Sequence, residues 1–172
     1  GLSYPWLQRK GMEENPHKRF LNDYFTGKFP SSDARGELYN DDPASGDARL
    51  CGTTASLCGL EAAKERGDAA GTDRAIGLDL MLHAFMLSLS GISVIYSGDE
   101  IGQLNDYSYK EDPDKCADSR YVHRGAFPWR RAALRNRKGT APERLFHGIT
   151  QMEEIRRAHP VFVSGAGVSV PD

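Results

Sequence analysis

The stretch from Thr72 to Tyr96 constrains the fold more than any other part of the chain. Thr72-Asp73 opens a helical run in which Ile76, Leu78, Leu80, Met81, Leu82, Phe85, Met86, Leu87 and Leu89 are apolar on nearly every side. Such a helix is stable only when other elements cover more than one of its faces. Gly91 ends it, and Ile92-Ser93-Val94-Ile95-Tyr96 follows as a short, partly β-branched run. A helix that passes within two residues into a buried strand is a unit of an α/β fold.

The remaining pattern arranges itself around that unit. Asn15 is placed to cap a helix with Pro16 in its first turn, Phe20, Leu21, Tyr24 and Phe25 recur at helical spacing, and Gly27 stops the run. Residues 28–50 are rich in Pro, Ser, Asp and Gly and show no period. Thr53 caps a further expected helix through Leu57, Leu60 and Lys64, ending near Gly67. Ser97 to Thr140 forms a long connection, a length that is usually functional or disordered. Pro142 starts an amphipathic helix with Leu145, Phe146, Ile149, Met152 and Ile155 on its inner face, and His159-Pro160 ends it. Residues 161–170 alternate well enough to begin a β region, and a terminal strand without a following partner marks the chain as a piece of a larger polypeptide.

Composition removes several classes. With 22 Lys+Arg against 24 Asp+Glu and 39% apolar residues, the chain is neither a disordered polymer nor a basic nucleic-acid arm. Arg130, Arg131, Arg135, Arg137 and Lys138 read as a solvated face, because nucleic-acid binding asks for a broader basic surface. No apolar run approaches the roughly 20 residues of a membrane span, and no signal peptide is visible. Cys51, Cys58 and Cys116 are odd in number with no CxxC spacing, so reduced thiols and a cytoplasmic location are expected. The Asp112-Pro-Asp114-Lys-Cys116-Ala-Asp118 run fails as a calcium loop, with Cys116 and Ala117 in place of an oxygen ligand and the glycine, and His123 in place of the bidentate Glu. No metal or cofactor is expected.

Charged side chains in the loops supply the candidate chemistry. Asp99 and Glu100 follow the expected strand, where α/β folds keep their reactive groups. Neighbouring residues on extended backbone point to opposite sides, so one of the two bracing the loop is favoured over a catalytic pair. Asp118-Ser-Arg120-Tyr-Val-His123-Arg124 offers an ion pair that either shapes a polar pocket or lies solvated at the surface. Asp47-Ala-Arg49 favours the solvated pair, and His83 reads as a core imidazole. Trp6, Phe20, Tyr24, Phe25, Phe29 and Trp129 are expected in the core, with one or two available to stack on a sugar face.

Ile95-Tyr96-Ser97-Gly98-Asp99-Glu100 resembles the eighth-strand motif of the α-amylase superfamily, glycoside hydrolase family thirteen, closest to its amylosucrase branch. The segments carrying the resemblance are His17 to Asn22, Ala34 to Gly36, Gly46 to Thr53, Gly98 to Asp106, and Asp118 to Arg124. They follow the family's order and cover roughly residues 1–163. The resemblance implies a partial (β/α)8 TIM barrel: residues 1–67 as a helical subdomain inserted after the seventh strand, 68–160 as the end of the barrel with a long loop after the eighth strand, and 161–172 as the start of a C-terminal β-sandwich.

It also implies a retaining α-glucosyl transferase that uses sucrose to extend an α-1,4-glucan. The nucleophilic Asp, the acid/base Glu and the stabilising Asp would lie upstream, so no catalytic residue is assigned here and the chain alone is expected to be inert. Arg120 takes the position that closes the floor of the glucose pocket by pairing with an upstream Asp. Arg49 takes a fructosyl or acceptor-side position, and Phe20 and Lys18 lie on the acceptor path. Lys18 stands where the family more often has Arg. Asp99, Glu100 and Asp118 belong to the loop framework. The expected partners are sucrose, an α-glucan acceptor and the remainder of the barrel, without nucleic acid or membrane. Two other readings remain open: a sucrose hydrolase or isomerase-like relative, and a non-catalytic carbohydrate-binding or scaffold domain.

Overall fold

The computed structural model describes residues 5–162 together with Gly165, Gly167 and Ser169. It contains α1 (Pro5–Arg9), α2 (Glu14–Phe25), β1 (Glu37–Tyr39), β2 (Arg49–Cys51), α3 (Thr54–Leu57), α4 (Leu60–Glu65), α5 (Ala69–Ser88), α6 (Trp129–Ala132) and α7 (Ala141–Ala158), with short 3-10 turns between. The core lies where α4 and α7 pack on α5: Ala55, Leu60, Ala75, Ile76, Ala141 and Leu145. A smaller cluster of Cys51, Tyr109 and Val122 sits beneath the hairpin, with Tyr39 and Tyr121 against it.

This architecture overturns the expected α/β class and the partial TIM barrel. The only sheet among the described residues is the antiparallel pair β1–β2, with Glu37 opposite Cys51 and Tyr39 opposite Arg49. All of it but Cys51 falls inside 28–50, a segment without period. Residues 92–96 have the composition of a buried strand, but form no strand and pair with none. Their outward side chains are bare: Ile92 is 90%, Val94 73% and Tyr96 51% exposed. A strand is defined by the strands it pairs with, and no described strand flanks this segment. The C-terminal β-sandwich is not seen either: Pro160–Phe162 forms a 3-10 turn, and most of the alternating residues, Val163, Val168 and Val170 among them, lie outside the described residues.

Local signals explain where the helices begin and end. Thr53 caps α3 by accepting the Ser56 N–H, as its sequence position predicts. The run that was expected to continue to Gly67 is broken at Gly59, whose φ of +92° is a left-handed conformation that a side chain would strain. Glu13, not Asn15, takes the cap position of α2, with no side-chain cap bond. Helix α5 starts a turn before Thr72 because Asp68 accepts the Gly71 N–H at 2.8 Å. A Cβ at Gly71 would stand 2.4 Å from the Asp68 carboxylate, so the cap requires glycine there. At its other end the Arg156 guanidinium donates to the carbonyls of Leu87, Leu89 and Gly91, closing the last turn.

Helix α5 is covered on one side only. Gly71, Ala75, Asp79, His83 and Leu87 form its buried stripe at four-residue spacing. Leu78, Met81, Leu82 and Phe85, expected inside, are exposed, Phe85 by 66%. The buried stripe thus carries two ionisable side chains while the larger hydrophobics face out. On α7, Leu145 and Ile149 are buried as expected, but Ile155 is 46% exposed. The long connection 97–140 is built from consecutive 3-10 turns and α6.

Candidate functional site

The hairpin supplies a floor, and the turn Ser119–His123 lies across it. Ser119 Oγ donates to the Leu38 carbonyl at 2.7 Å. Arg120 Nε and Nη2 grip Asp118 bidentately at 2.8 and 2.7 Å, and Asp118 Oδ1 also accepts the Arg120 amide at 3.0 Å. The guanidinium stacks 4.2 Å from the Tyr39 ring centre. Its charge and hydrogen bonds pull the Asp118 carboxyl down to about 2 and push the Arg120 guanidinium further up. Arg49 stands exposed on β2 opposite Tyr39 in the strand register. Asp118 thus occupies the guanidinium fork that the family resemblance reserves for an upstream Asp.

Lys18 is held between Glu14 Oε1 at 2.9 Å and Asp47 Oδ1 at 2.8 Å, and these partners raise its pKa. Asn22 Nδ2 donates to the Gly46 carbonyl at 2.9 Å, fixing the turn that carries Asp47 and leads to Arg49. Phe20 lies apart from this group. It belongs to an exposed aromatic strip, edge-on to Phe29 at 5.2 Å and tilted against His17 and Tyr24. Trp6 continues the strip against His17 at 5.7 Å. The expectation that Trp6, Phe20, Phe29 and Trp129 are core residues is corrected: they are 48, 42, 38 and 76% exposed.

Residues that the sequence reading assigned to no site, though Asn105 and His123 lie in its motif segments, hold the loops together. Asn105 Oδ1 accepts the Thr53 N–H at 2.9 Å, its Nδ2 donates to the Arg35 carbonyl and to Tyr107 Oη, and its amide donates to Ser56 Oγ. Buried Glu61 accepts from Ser56 Oγ at 2.6 Å and from Tyr107 Oη at 2.9 Å. His123 Nδ1 accepts the Gly52 N–H at 3.3 Å. Most of these partners are some 50 to 70 residues apart in sequence, so spacing carries no sign of them.

Asp99 and Glu100 diverge. Glu100 folds back to accept the Gly98 N–H at 2.8 Å. Asp99 turns toward α5, where its Oδ2 lies 3.8 Å from His83 Nε2. On the other side of the imidazole, Nδ1 faces the Asp79 carbonyl at 3.0 Å and Oδ1 at 2.9 Å. Asp79 is 1% exposed, and one N–H cannot serve both oxygens, which leaves its carboxylate without a directed donor. Asp79 and Asp99 together raise the His83 pKa to about 10, so the ring is cationic at neutral pH. Burial pushes the nearby Cys58 thiol up to about 12, which makes it a poor nucleophile. Above this cluster opens an apolar groove of about 550 Å³ whose walls include Phe25, Leu57, Leu82, Met86 and Val94.

No two carboxylates in this arrangement present themselves as a free nucleophile and acid. Among the described residues no three His, Cys, Asp or Glu side chains gather as metal ligands, and no helix is long and apolar enough to cross a membrane. No family model matches the chain.

Proposed function

We propose that this chain forms the substrate- and acceptor-side portion of a retaining α-glucosyl transferase that uses sucrose to extend an α-1,4-glucan. One observation carries the reading. The five sequence stretches with the amylosucrase-like motifs bond directly to one another, although they are spread from His17 to Arg124. Lys18 reaches Asp47, Asn22 reaches Gly46, Asn105 ties Arg35 to Thr53, Gly52 meets His123, and the Asp106 amide donates to the Val122 carbonyl. One hydrogen-bonded framework therefore joins all five stretches, which supports reading them as parts of one site.

The chemistry divides between this chain and the rest of the polypeptide. Retaining transfer needs a nucleophile and an acid/base with carboxyl groups roughly 5 Å apart. Asp99 and Glu100 are engaged elsewhere, and in this reading both acids are supplied by residues outside these 172. The nucleophile attacks the anomeric carbon of the glucosyl unit while the acid protonates the departing fructosyl oxygen. A glucan 4-hydroxyl, deprotonated by the same acid/base residue, then displaces the enzyme carboxylate. In this scheme Arg120 closes the glucose pocket, Arg49 faces the leaving or accepting sugar, and Phe20 offers a stacking face along the acceptor path. Lys18, already neutralised by two carboxylates, shapes that path rather than supplying a free charge.

Fructose release from sucrose by the full-length protein, with and without glycogen, tests the proposal. Turnover stimulated by glycogen, with glucan growth, is the expected result, and Arg120→Lys lowers it on the order of a hundred-fold by replacing a planar fork with a point charge. Turnover without stimulation or polymer identifies a hydrolase or isomerase-like enzyme instead. Glucan binding without any turnover identifies a non-catalytic module.

A further inference from the structure

The turn that carries Arg120 ends in a second polar side chain whose donor no described residue accepts. In a 3-10 helix three residues complete a turn, so Arg120 and His123 within Ser119–His123 project from the same side. The Gly52 N–H donates to His123 Nδ1 at 3.3 Å, which places the ring proton on Nε2. Tyr96 meets the ring edge-on at 5.9 Å and fixes its plane. The ring is half-buried, and its Nε2–H has no partner among the described residues. Burial and the Arg124 charge lower the His123 pKa against the opposing pull of Asp118 and Asp99, so the imidazole is a neutral donor at pH 7.

Resting on the glucosyl-transfer reading above, we propose that His123 binds the sugar itself, its Nε2–H donating to a hydroxyl oxygen of the glucosyl unit held beside Arg120. The two groups suit different tasks. The Arg120 fork is committed to a carboxylate, whereas a neutral N–H held rigidly by Gly52 and Tyr96 matches an uncharged hydroxyl. A rigidly held donor of this kind discriminates against a ligand that lacks the oxygen, because the hydrogen bond is then not made.

Two substitutions separate binding from bracing. In His123→Asn the side-chain carbonyl takes over the acceptor role toward the Gly52 N–H, but nothing replaces Nε2. In His123→Gln an amide N–H lies near the Nε2 position. In the full-length protein we expect His123→Asn to keep the wild-type Tm and lose about ten-fold in kcat/KM for sucrose, with His123→Gln recovering most of that loss. Wild-type kcat/KM in His123→Asn, or activity falling in both variants in step with Tm, overturns the inference and leaves His123 as a brace for Gly52. Loss of activity in Arg120→Lys alone in that same set leaves the transferase reading standing while the His123 inference fails. If the wild-type protein does not turn over sucrose, the transferase reading fails, and calorimetric titration with glucose and maltose decides on His123. Weaker binding by His123→Asn then supports the assignment, and equal binding or no binding by wild type overturns it.

Discussion

The loop framework around Asn105 and the exposed side of α5 are built on opposite terms. In the first, Thr53, Ser56, Glu61, Asn105 and Tyr107 satisfy one another's donors and acceptors with little apolar burial between them. On the second, Leu78, Met81, Leu82 and Phe85 stand in solvent beside the bare residues 92–96. Between the two regions lies the Asp79–His83–Asp99 cluster, where charge is buried under an apolar groove. In the polar half the side chains satisfy one another's donors and acceptors, whereas the apolar half leaves large side chains facing solvent. Burying a large side chain is worth about 1.5–3 kcal/mol, so four of them amount to an incentive comparable with the stability of a domain.

The strongest way to break the contrast is at its boundary. His83→Leu removes the cation from between two carboxylates and leaves Asp79 buried without compensation. Such a loss costs about 3–5 kcal/mol, seen as a large drop in Tm. Replacing Asp79 and His83 together by leucine restores most of it, since no charge is then left buried on α5. The sign with pH follows from the raised His83 pKa. An unfolded histidine titrates near 6.5 and the folded one at about 10. The stabilisation is therefore complete below about pH 6.5 and is lost as pH rises toward 10. Thermal unfolding followed from pH 6 to pH 10 checks this (flat Tm across that range contradicts a cationic His83).

Within the polar half, Asn105→Ala leaves the Thr53 N–H and the Arg35 carbonyl without their partner. The expected cost is about 2–3 kcal/mol, with faster hydrogen exchange at Thr53 and Ser56. A cost below about 0.5 kcal/mol would mean that the five motif stretches are held by packing and not by this network. Gly59→Ala tests the break between α3 and α4. It places a Cβ 2.9 Å from the Asp33 Cβ at a φ of +92°, for about 1–2 kcal/mol.

These sites also show what a single sequence discloses. The Thr53 cap, the stop at Gly27 and the buried Leu145 and Ile149 of α7 follow from local chemistry, and residue spacing suffices to find them. Helix α5 was visible as a helix, but being apolar on nearly every side it carries no period that tells the buried stripe from the bare one. Residues 92–96 have strand composition, yet a ladder depends on a partner that composition cannot supply. The hairpin was hidden for the opposite reason, with three-residue strands too short to show alternation. At the site, Asp118 and Arg120 were legible because the pair is local, whereas Asn105, Glu61 and His123 act on partners distant in sequence.

The smallest expected effect is the one that bears most directly on the apolar half. Phe85 is 66% exposed, so in the 172-residue chain Phe85→Gln removes only a minor share of its buried area and should change unfolding free energy by less than about 1 kcal/mol. The same substitution should reduce binding of a hydrophobic dye, because the bare stripe on α5 loses its most protruding member. In the full-length protein the proposed function requires that other parts of the polypeptide bring the reacting carboxylates to this chain, and the α5 stripe beside residues 92–96 is the surface against which they would pack. There Phe85→Gln should cost about 3–5 kcal/mol, the range for truncating a buried aromatic. A cost near zero in both proteins would show that α5 remains open to solvent and would separate the groove from the glucosyl-transfer site.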